Sequence, residues 1–463
     1  LTLSCFLHEA LYGQETQITF QKYGVEEGLP EEVANHFIQD RQGFIWVATQ
    51  NGLAKFDGYS MKVFRIKRSD PNALHSRSVV GGLLEASDGR IWIGGNSDGG
   101  VLSVYDPKTE HFVNFYPDST DKTKVPFRSN PPLFEDRDHH IWFVSSGIQN
   151  RVLCKINPIT FEVSRYPIDV NAFRNEIVNN FKMAYVEEDG SIWVGGISRD
   201  LQRYDPRSDS FETIAKEGEK LPGMSVADTL YDVSPMGKSG LIPLSNNNTI
   251  YLLDPIKRQI VKELRTHIRV PRKSLGAVFE DDWENFWHSA ADRLTFYDAE
   301  SNMPQNYLIG KGKLDLDGIP SGINSIQPLL KTPDIIWFSL HSVNRAVSYL
   351  KYSYGDDRFA YFDALFNDDR NEIKSSTSSK SMLLDDTGLL WMGTRPNLYK
   401  EAPKSRQFKI FEHSAKDPNS LPSDSVTYIF EDSKKRLWIG MFGAIAHYKG
   451  KGKFTKLSWY SGS

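Results

Sequence analysis

The chain has 463 residues, 39% hydrophobic and 12% aromatic, enough for a sizeable core and more than one ordinary domain. Its formal charge of −4 gives no electrostatic support to a general nucleic-acid role. Two cysteines, Cys5 and Cys154, exclude a disulfide framework and a cysteine-rich metal site, and no segment approaches the length of a membrane-spanning helix.

Residues 1–14 begin with an apolar run, Leu1 to Leu7, and continue through Ala10-Leu11-Tyr12-Gly13-Gln14. They read as the remnant of a secretory signal peptide, so the expected compartment is periplasmic. Thr16 to Lys22 is an isolated strand, patterned like the later segments Ser60 to Lys67 and His111 to Tyr116. The first complete unit follows. Val33 to Gln39 is an apolar-rich strand, Arg41-Gln42-Gly43 a turn, and Phe44 to Thr49 a second strand. Gln50-Asn51-Gly52 is a hairpin turn, Leu53 to Phe56 a third strand, Asp57-Gly58 another turn, and Met61 to Ile66 a fourth strand. Asn-Gly and Asp-Gly between apolar runs are strong hairpin signals.

That unit repeats. Trp46, Trp92, Trp142, Trp193, Trp287, Trp337, Trp391 and Trp438 lie in near-copies of one phrase, at gaps of 46, 50, 51, 94, 50, 54 and 47 residues. The gap of 94 spans two periods, with a degraded copy at Leu241-Ile242-Pro243-Leu244 in which Ile242 is read at the tryptophan position. Nine units of short strands at this period predict an all-β chain of four-stranded propeller blades, with the indoles as packing between blades. Most copies carry a small residue two places beyond the aromatic, such as Ala48, Gly94 and Ser289, which suits a crowded site near an axis.

Nine units exceed the usual four to eight blades of one propeller. The isolated strand at 16–22 is expected to complete the last blade of a ring and remove its exposed edge. Asp70-Pro71-Asn72-Ala73-Leu74 before unit 2 matches Asp417-Pro418-Asn419-Ser420-Leu421 before unit 9, which suggests that unit 9 is the second blade of a new ring. The expectation is a seven-bladed propeller over 15–365, then the first two blades of a second, truncated propeller over 366–463. A single ring of nine, or of eight, is the alternative. The chain stops on Gly462-Ser463 without a closing strand and is expected to be part of something longer.

The segments VANHFIQDRQGFIWVATQNGLAKFDG and VTYIFEDSKKRLWIG, with Glu27-Gly28-Leu29-Pro30 before the first, resemble the regulator-propeller repeat of periplasmic sensors in hybrid two-component systems of Bacteroidetes-type bacteria. The likeness covers nearly all the chain after residue 15. It implies a sensor whose full form adds a second ring, an immunoglobulin-like domain, a membrane helix, a histidine kinase, a receiver and a DNA-binding module. It also implies an oligosaccharide ligand, a homodimer in the full-length form, and control of glycan-utilisation genes through the kinase. Membrane attachment would come only through the missing C-terminal segment, and this region would touch no nucleic acid. The fifth unit and the phrase Trp287-His288-Ser289-Ala290 depart from the repeat.

Four-stranded topology sorts the turns onto two faces. Turns joining strands one to two and three to four are acidic: Asp40, Asp88, Asp136, Asp138, Asp189, Asp281, Asp385 and Asp432 among them. Aspartates at such positions cap their own turn backbone, and separated turns do not converge on a calcium ion, so no metal or other cofactor is expected. Turns joining strands two to three carry Arg151, Arg199, Arg293, Arg345 and Arg395 with Asn51, Asn96 and Asn344, and the blade-to-blade connections add Arg77. Guanidinium forks suit carboxylates or sulfates, and amides suit sugar hydroxyls. These nine residues form the candidate site for an oligosaccharide, possibly an anionic one, at the mouth of the channel.

An enzyme is the competing class, since propellers also host sialidases and lyases. Ser87 to Trp92 is similar to a sialidase Asp-box, with the spacing off by one residue. The histidines show no metal-ligand spacing, and no nucleophile elbow, phosphate loop or dinucleotide fingerprint appears. The chain is therefore expected to be non-catalytic. A protein-binding scaffold is the third reading.

Overall fold

The computed structural model describes residues 20–67, 69–75, 82–95, 101–146, 151–167, 182–195, 200–216, 218–226, 232–246, 248–265, 277–290, 293–299, 303–308, 323–342, 345–362, 381–393, 398–401, 411, 413–432, 436–441, 444–449 and 453–457. Every regular element among them is a β-strand, and the strands form nine four-stranded antiparallel sheets. Sheets 1 to 7 are consecutive meanders at 34–64, 82–115, 128–167, 182–215, 232–265, 277–308 and 323–362; sheet 9 is an eighth meander of the same order at 426–457. The all-β, four-stranded blade reading of the sequence is what the molecule shows.

Sheet 8 is different. Its span 381–401 supplies three strands, and the fourth is Phe20–Tyr23, which pairs antiparallel with Leu398–Glu401. The chain divides into two compact units, Leu1–Ala402 and Pro403–Ser463. The first holds eight sheets and the second holds sheet 9, so the observed division is not the expected one at 365. The physical reason is the bare edge at Leu398–Glu401. The N-terminal strand covers that edge rather than the edge of sheet 7, which Arg358–Phe362 already occupies. Residues 1–14 lie outside the described ones.

Eight apolar clusters fill the eight seams of the first unit, each joining one sheet to the next and the last joining sheet 8 to sheet 1. Each repeat tryptophan of that unit reaches into the seam ahead of its own sheet: Trp46 meets Leu83 and Tyr105 of sheet 2, and Trp391 meets Tyr23, Phe56 and Val47 at the closing seam. Trp46, Trp92, Trp142, Trp193, Trp287, Trp337 and Trp391 are all 1% exposed or less, which makes them packing residues. The aromatic strand is apolar on both faces because both faces meet a neighbouring sheet, as Ile45–Thr49 illustrates.

The fifth unit needs a correction of register. Ile242 and Leu244 face back into the seam with sheet 4, as Ile45 and Val47 face back from sheet 1. Pro243, not Ile242, therefore stands where the other sheets carry tryptophan, and Ser245 becomes the small residue two places on.

The Asp-Pro-Asn likeness also acquires a different meaning. In the first copy the Asn72 carbonyl accepts from Phe112 N–H at 2.8 Å, and in the second the Asn419 carbonyl accepts from Phe454 N–H at 2.8 Å. Leu74 and Leu421 are buried behind these bonds. Thr123 and Pro222 accept in the same way from Val163 and Ile260, before sheets 3 and 5. The linker is a tether to the outer strand of its own sheet and does not mark position in a ring.

Candidate functional site

On the acidic face the turn aspartates are consumed locally. Asp40 Oδ1 accepts from Gln42 and Phe44 N–H at 3.0 and 2.9 Å, while Oδ2 accepts from the Trp46 indole at 2.7 Å. The same indole bond joins Asp136 to Trp142, Asp281 to Trp287, Asp385 to Trp391 and Asp432 to Trp438, at 2.7–2.9 Å. Six residues separate each pair. Trp92 and Trp193 have Ala86 and Glu187 at that place instead, and their indole nitrogens are buried without a partner. This clamp is a sequence-readable signal that the turn reading alone does not reveal.

Among the described residues, two clefts open on this face. One, of about 210 Å³ between sheets 3 and 4, is lined by Asp136, Asp138, His140, Lys155, Tyr204 and Asp209 among others. Asp209 Oδ1 accepts from Lys155 Nζ at 2.6 Å, Tyr166 Oη at 2.5 Å and Tyr204 Oη at 2.6 Å. Burial disfavours the Asp209 charge, but these three donors outweigh it and hold the carboxyl below its usual range. Asp136, Asp138 and His140 bring ligand atoms within 4.8 Å of one another. Both Asp136 oxygens are already engaged, Oδ1 by Asp138 and His140 N–H and Oδ2 by the Trp142 indole, so the group serves the turn. A second cleft of about 270 Å³ lies in the equivalent place between sheets 1 and 2, lined by Asp40, Arg41, Glu85 and Lys108 among others. Both clefts belong to the repeat, and the pairing of Lys155 with Asp209, 54 positions away, is not legible in the sequence.

The opposite face carries the sequence-derived candidates. Asn51 sits in the hairpin between Thr49 and Gly52, its N–H donating to Thr49 Oγ1 at 3.2 Å, and is half-buried. Arg293 opens the third strand of sheet 6, opposite Ala290, and is also half-buried. Arg151 and Arg345 take the same backbone position in sheets 3 and 7, opposite Ser146 and Ser342. The antiparallel register therefore sets all four at strand-two-to-three hairpins. Arg77, Arg199, Arg395, Asn96 and Asn344 lie outside the described residues. Among the described groups nearer the inner strands, His36 Nδ1 accepts from Leu83 N–H at 3.3 Å across a seam, and burial lowers its pKa.

Residues 28–51 and 420–443 match the family described as Two component regulator propeller. A stretch of 72 residues is 32% identical to histidine kinase P4 of Formosa agariphila; it covers 16% of this chain and 5% of that protein's length. An extracellular domain of B. thetaiotaomicron assigned to the hybrid two component system BT3049 aligns over 96% of this chain and 67% of its own, at 16% identity and a TM-score of 0.44. Sqt1 of Saccharomyces cerevisiae aligns over 84% of this chain and 99% of its own, at 8% identity and a TM-score of 0.53, a likeness of fold. The chain is thus built of four-stranded β-propeller blades, and two of its segments, 28–51 and 420–443, match the two component regulator propeller repeat.

Proposed function

We propose that this chain is the periplasmic, ligand-sensing region of a two-component signalling protein and that it is not itself catalytic. The observation that carries the reading is the family match at two places far apart in the chain, residues 28–51 and 420–443, within sheets of one design. The ligand class is an oligosaccharide, with acidic sugars favoured by the guanidinium groups at the strand-two-to-three hairpins. Binding would bias two arrangements of a full-length homodimer and so control a kinase, anchored by a membrane segment outside this chain, and through it the transcription of glycan-utilisation genes. Arg77, Arg151, Arg199, Arg293, Arg345, Arg395, Asn51, Asn96 and Asn344 are the proposed contacts.

The test is calorimetric titration of the purified protein with size-matched neutral and uronate-bearing oligosaccharides, with product analysis on the same mixtures. Saturable binding of the acidic set without turnover is expected. Turnover would replace the sensor reading with an enzyme, and tighter binding of the neutral set would remove the acidic preference.

A further inference from the structure

The phrase Trp287-His288-Ser289-Ala290 departs from the repeat at a place that the site on the hairpin face does not use. In the first unit the residue after the aromatic points back into the preceding seam, and elsewhere it is apolar: Val47, Ile93, Phe143, Val194, Leu244, Phe338 and Met392. His288 is the exception. It is 2% exposed, its ring is hydrogen-bonded to the main chain of Asn246 in the sheet 5 hairpin, and its Nε2 is buried with no partner. Tyr297, on the same face of sheet 6, is 1% exposed and its hydroxyl is likewise unpartnered.

This seam is also the one without an indole, because Pro243 replaces the tryptophan of sheet 5. Its apolar filling is Ile250, Leu252, Leu264, Val278, Phe286 and Tyr297. Polar crossings supplement it: Val278 N–H donates to Asp232 Oδ2 at 3.0 Å and Ser239 N–H donates to Glu280 Oε1 at 2.8 Å. The titratable groups turned toward the seam are Asp232, Lys238 and Lys262 from sheet 5 and Glu280 and Tyr297 from sheet 6; Lys238 Nζ donates to Asp282 O at 3.1 Å at the turn end, and Lys262 is placed there by its pairing with Leu252. A second proton on His288 would sit on Nε2, creating a buried cationic donor with no acceptor. Water is the acceptor it needs, and water enters only if sheets 5 and 6 part.

We propose that the seam between sheets 5 and 6 is an acid-operated latch, in which protonation of His288 parts these two sheets while seams that hold no buried histidine, such as that between sheets 3 and 4, stay closed. A closed-state pKa lowered by burial to about 4, against 6.5 for the solvated ring, implies an opening constant that rises about 30-fold between pH 7.5 and 5. The device depends on neither the ligand nor the hairpin arginines.

Hydrogen–deuterium exchange of the whole protein, corrected for intrinsic rates, reads this directly between pH 7.5 and 5. Peptides from 242–254 and 286–297 are expected to gain exchange by roughly that factor, and peptides from 141–156 and 191–204, whose strands hold no histidine, to stay unchanged. His288→Phe, which restores the apolar residue of the other sheets, is expected to abolish the response. An equal rise in that variant, or a uniform rise across all seams, would overturn the proposal. Should the variant fold poorly, imidazole nitrogen NMR of the unaltered protein decides independently. A neutral His288 at pH 6 supports the latch, and a charged one refutes it.

Discussion

Asp386 and Gln39 stand 347 positions apart, yet the Asp386 N–H donates to Gln39 Oε1 at 2.8 Å. The bond is one of a set. Arg41 N–H reaches Glu85 Oε2, Ser87 N–H reaches Glu135 Oε2 and Ser239 N–H reaches Glu280 Oε1, at 3.0, 2.5 and 2.8 Å, each from a turn of one sheet to a side chain of the next. Asp386 to Gln39 is the member that joins sheet 8 to sheet 1. Closure of the first unit thus uses the same device as its ordinary seams, together with the strand Phe20–Tyr23.

The closing seam holds chiefly by packing. Tyr23 stacks on Trp391 at 5.9 Å between ring centroids and meets Phe56 edge-on at 5.2 Å. Tyr23→Ala is expected to destabilise the protein by about 3 kcal/mol in urea titration, whereas Gln39→Ala, which removes two solvent-side bonds, to Asp386 N–H and Gly43 O, costs about 1 kcal/mol or less. Equal effects would show that the hydrogen bond carries the seam.

The indole clamp can be installed where it is missing. Ala86 has the backbone bonds of Asp40: Ala86 N–H to Arg90 O and Gly89 N–H to Ala86 O mirror Asp40 N–H to Phe44 O and Gly43 N–H to Asp40 O. Ala86→Asp should give the orphaned Trp92 indole its acceptor and raise stability by about 1 kcal/mol, seen as a higher melting midpoint. Removing a native clamp by Asp281→Ala takes an acceptor from the Trp287 indole, the Tyr354 hydroxyl and the Asn285 N–H together, leaving the indole only its 3.3 Å contact with Tyr354 Oη, and should cost about 3 kcal/mol. A lower midpoint for the first variant would refute the clamp as a stabilising element.

Acid sensitivity should include a term from Asp385. Burial raises its pKa, but bonds from Thr387, the Trp391 indole and Leu389 N–H outweigh burial and leave it lowered. A lowered folded-state pKa means stability that is full above the unfolded carboxyl pKa of about 3.9 and lost as pH falls through the folded value. Asp385→Asn should therefore flatten the pH dependence of unfolding below about pH 4. An unchanged slope would place the acid sensitivity elsewhere.

Gly393 marks how closely sheets 8 and 1 approach. A Cβ there would lie 2.8 Å from Ala34 O and 2.9 Å from Phe37 Cε1. Gly393→Ala should cost about 2 kcal/mol, in the range for overpacking a tight core. A neutral substitution would mean that the closing seam has slack.

At the hairpin face, Arg293→Ala is expected to weaken binding of acidic oligosaccharides tenfold or more with little change in melting midpoint. Unaltered affinity would remove Arg293 from the contact set.

Much of the architecture was legible because hairpins and aromatic periodicity are local. Asn51-Gly52 sets its turn within a few residues, and Gly52, at φ 119°, takes a conformation that few other residues tolerate. The register of the fifth unit was not legible from the phrase alone, since Ile242 and Pro243 are both plausible stand-ins for tryptophan until burial shows which way each faces. The candidate rim was legible only as residue types at hairpins. The backbones of its described members, Asn51, Arg151, Arg293 and Arg345, lie at the expected hairpins, but contact with a sugar depends on side-chain convergence that spacing does not encode.

By itself the amino-acid order determined strands, turns and their nine-fold recurrence, because each depends on neighbours within a few positions along the backbone. Tertiary structure decided which sheet received Phe20–Tyr23, and with it the eight-sheet first unit. An unpaired strand edge can accept any segment of suitable pattern, so that choice rests on the packing of Tyr23 and Phe56 with Trp391, which lies hundreds of positions from both and meets them only once the sheets have come round.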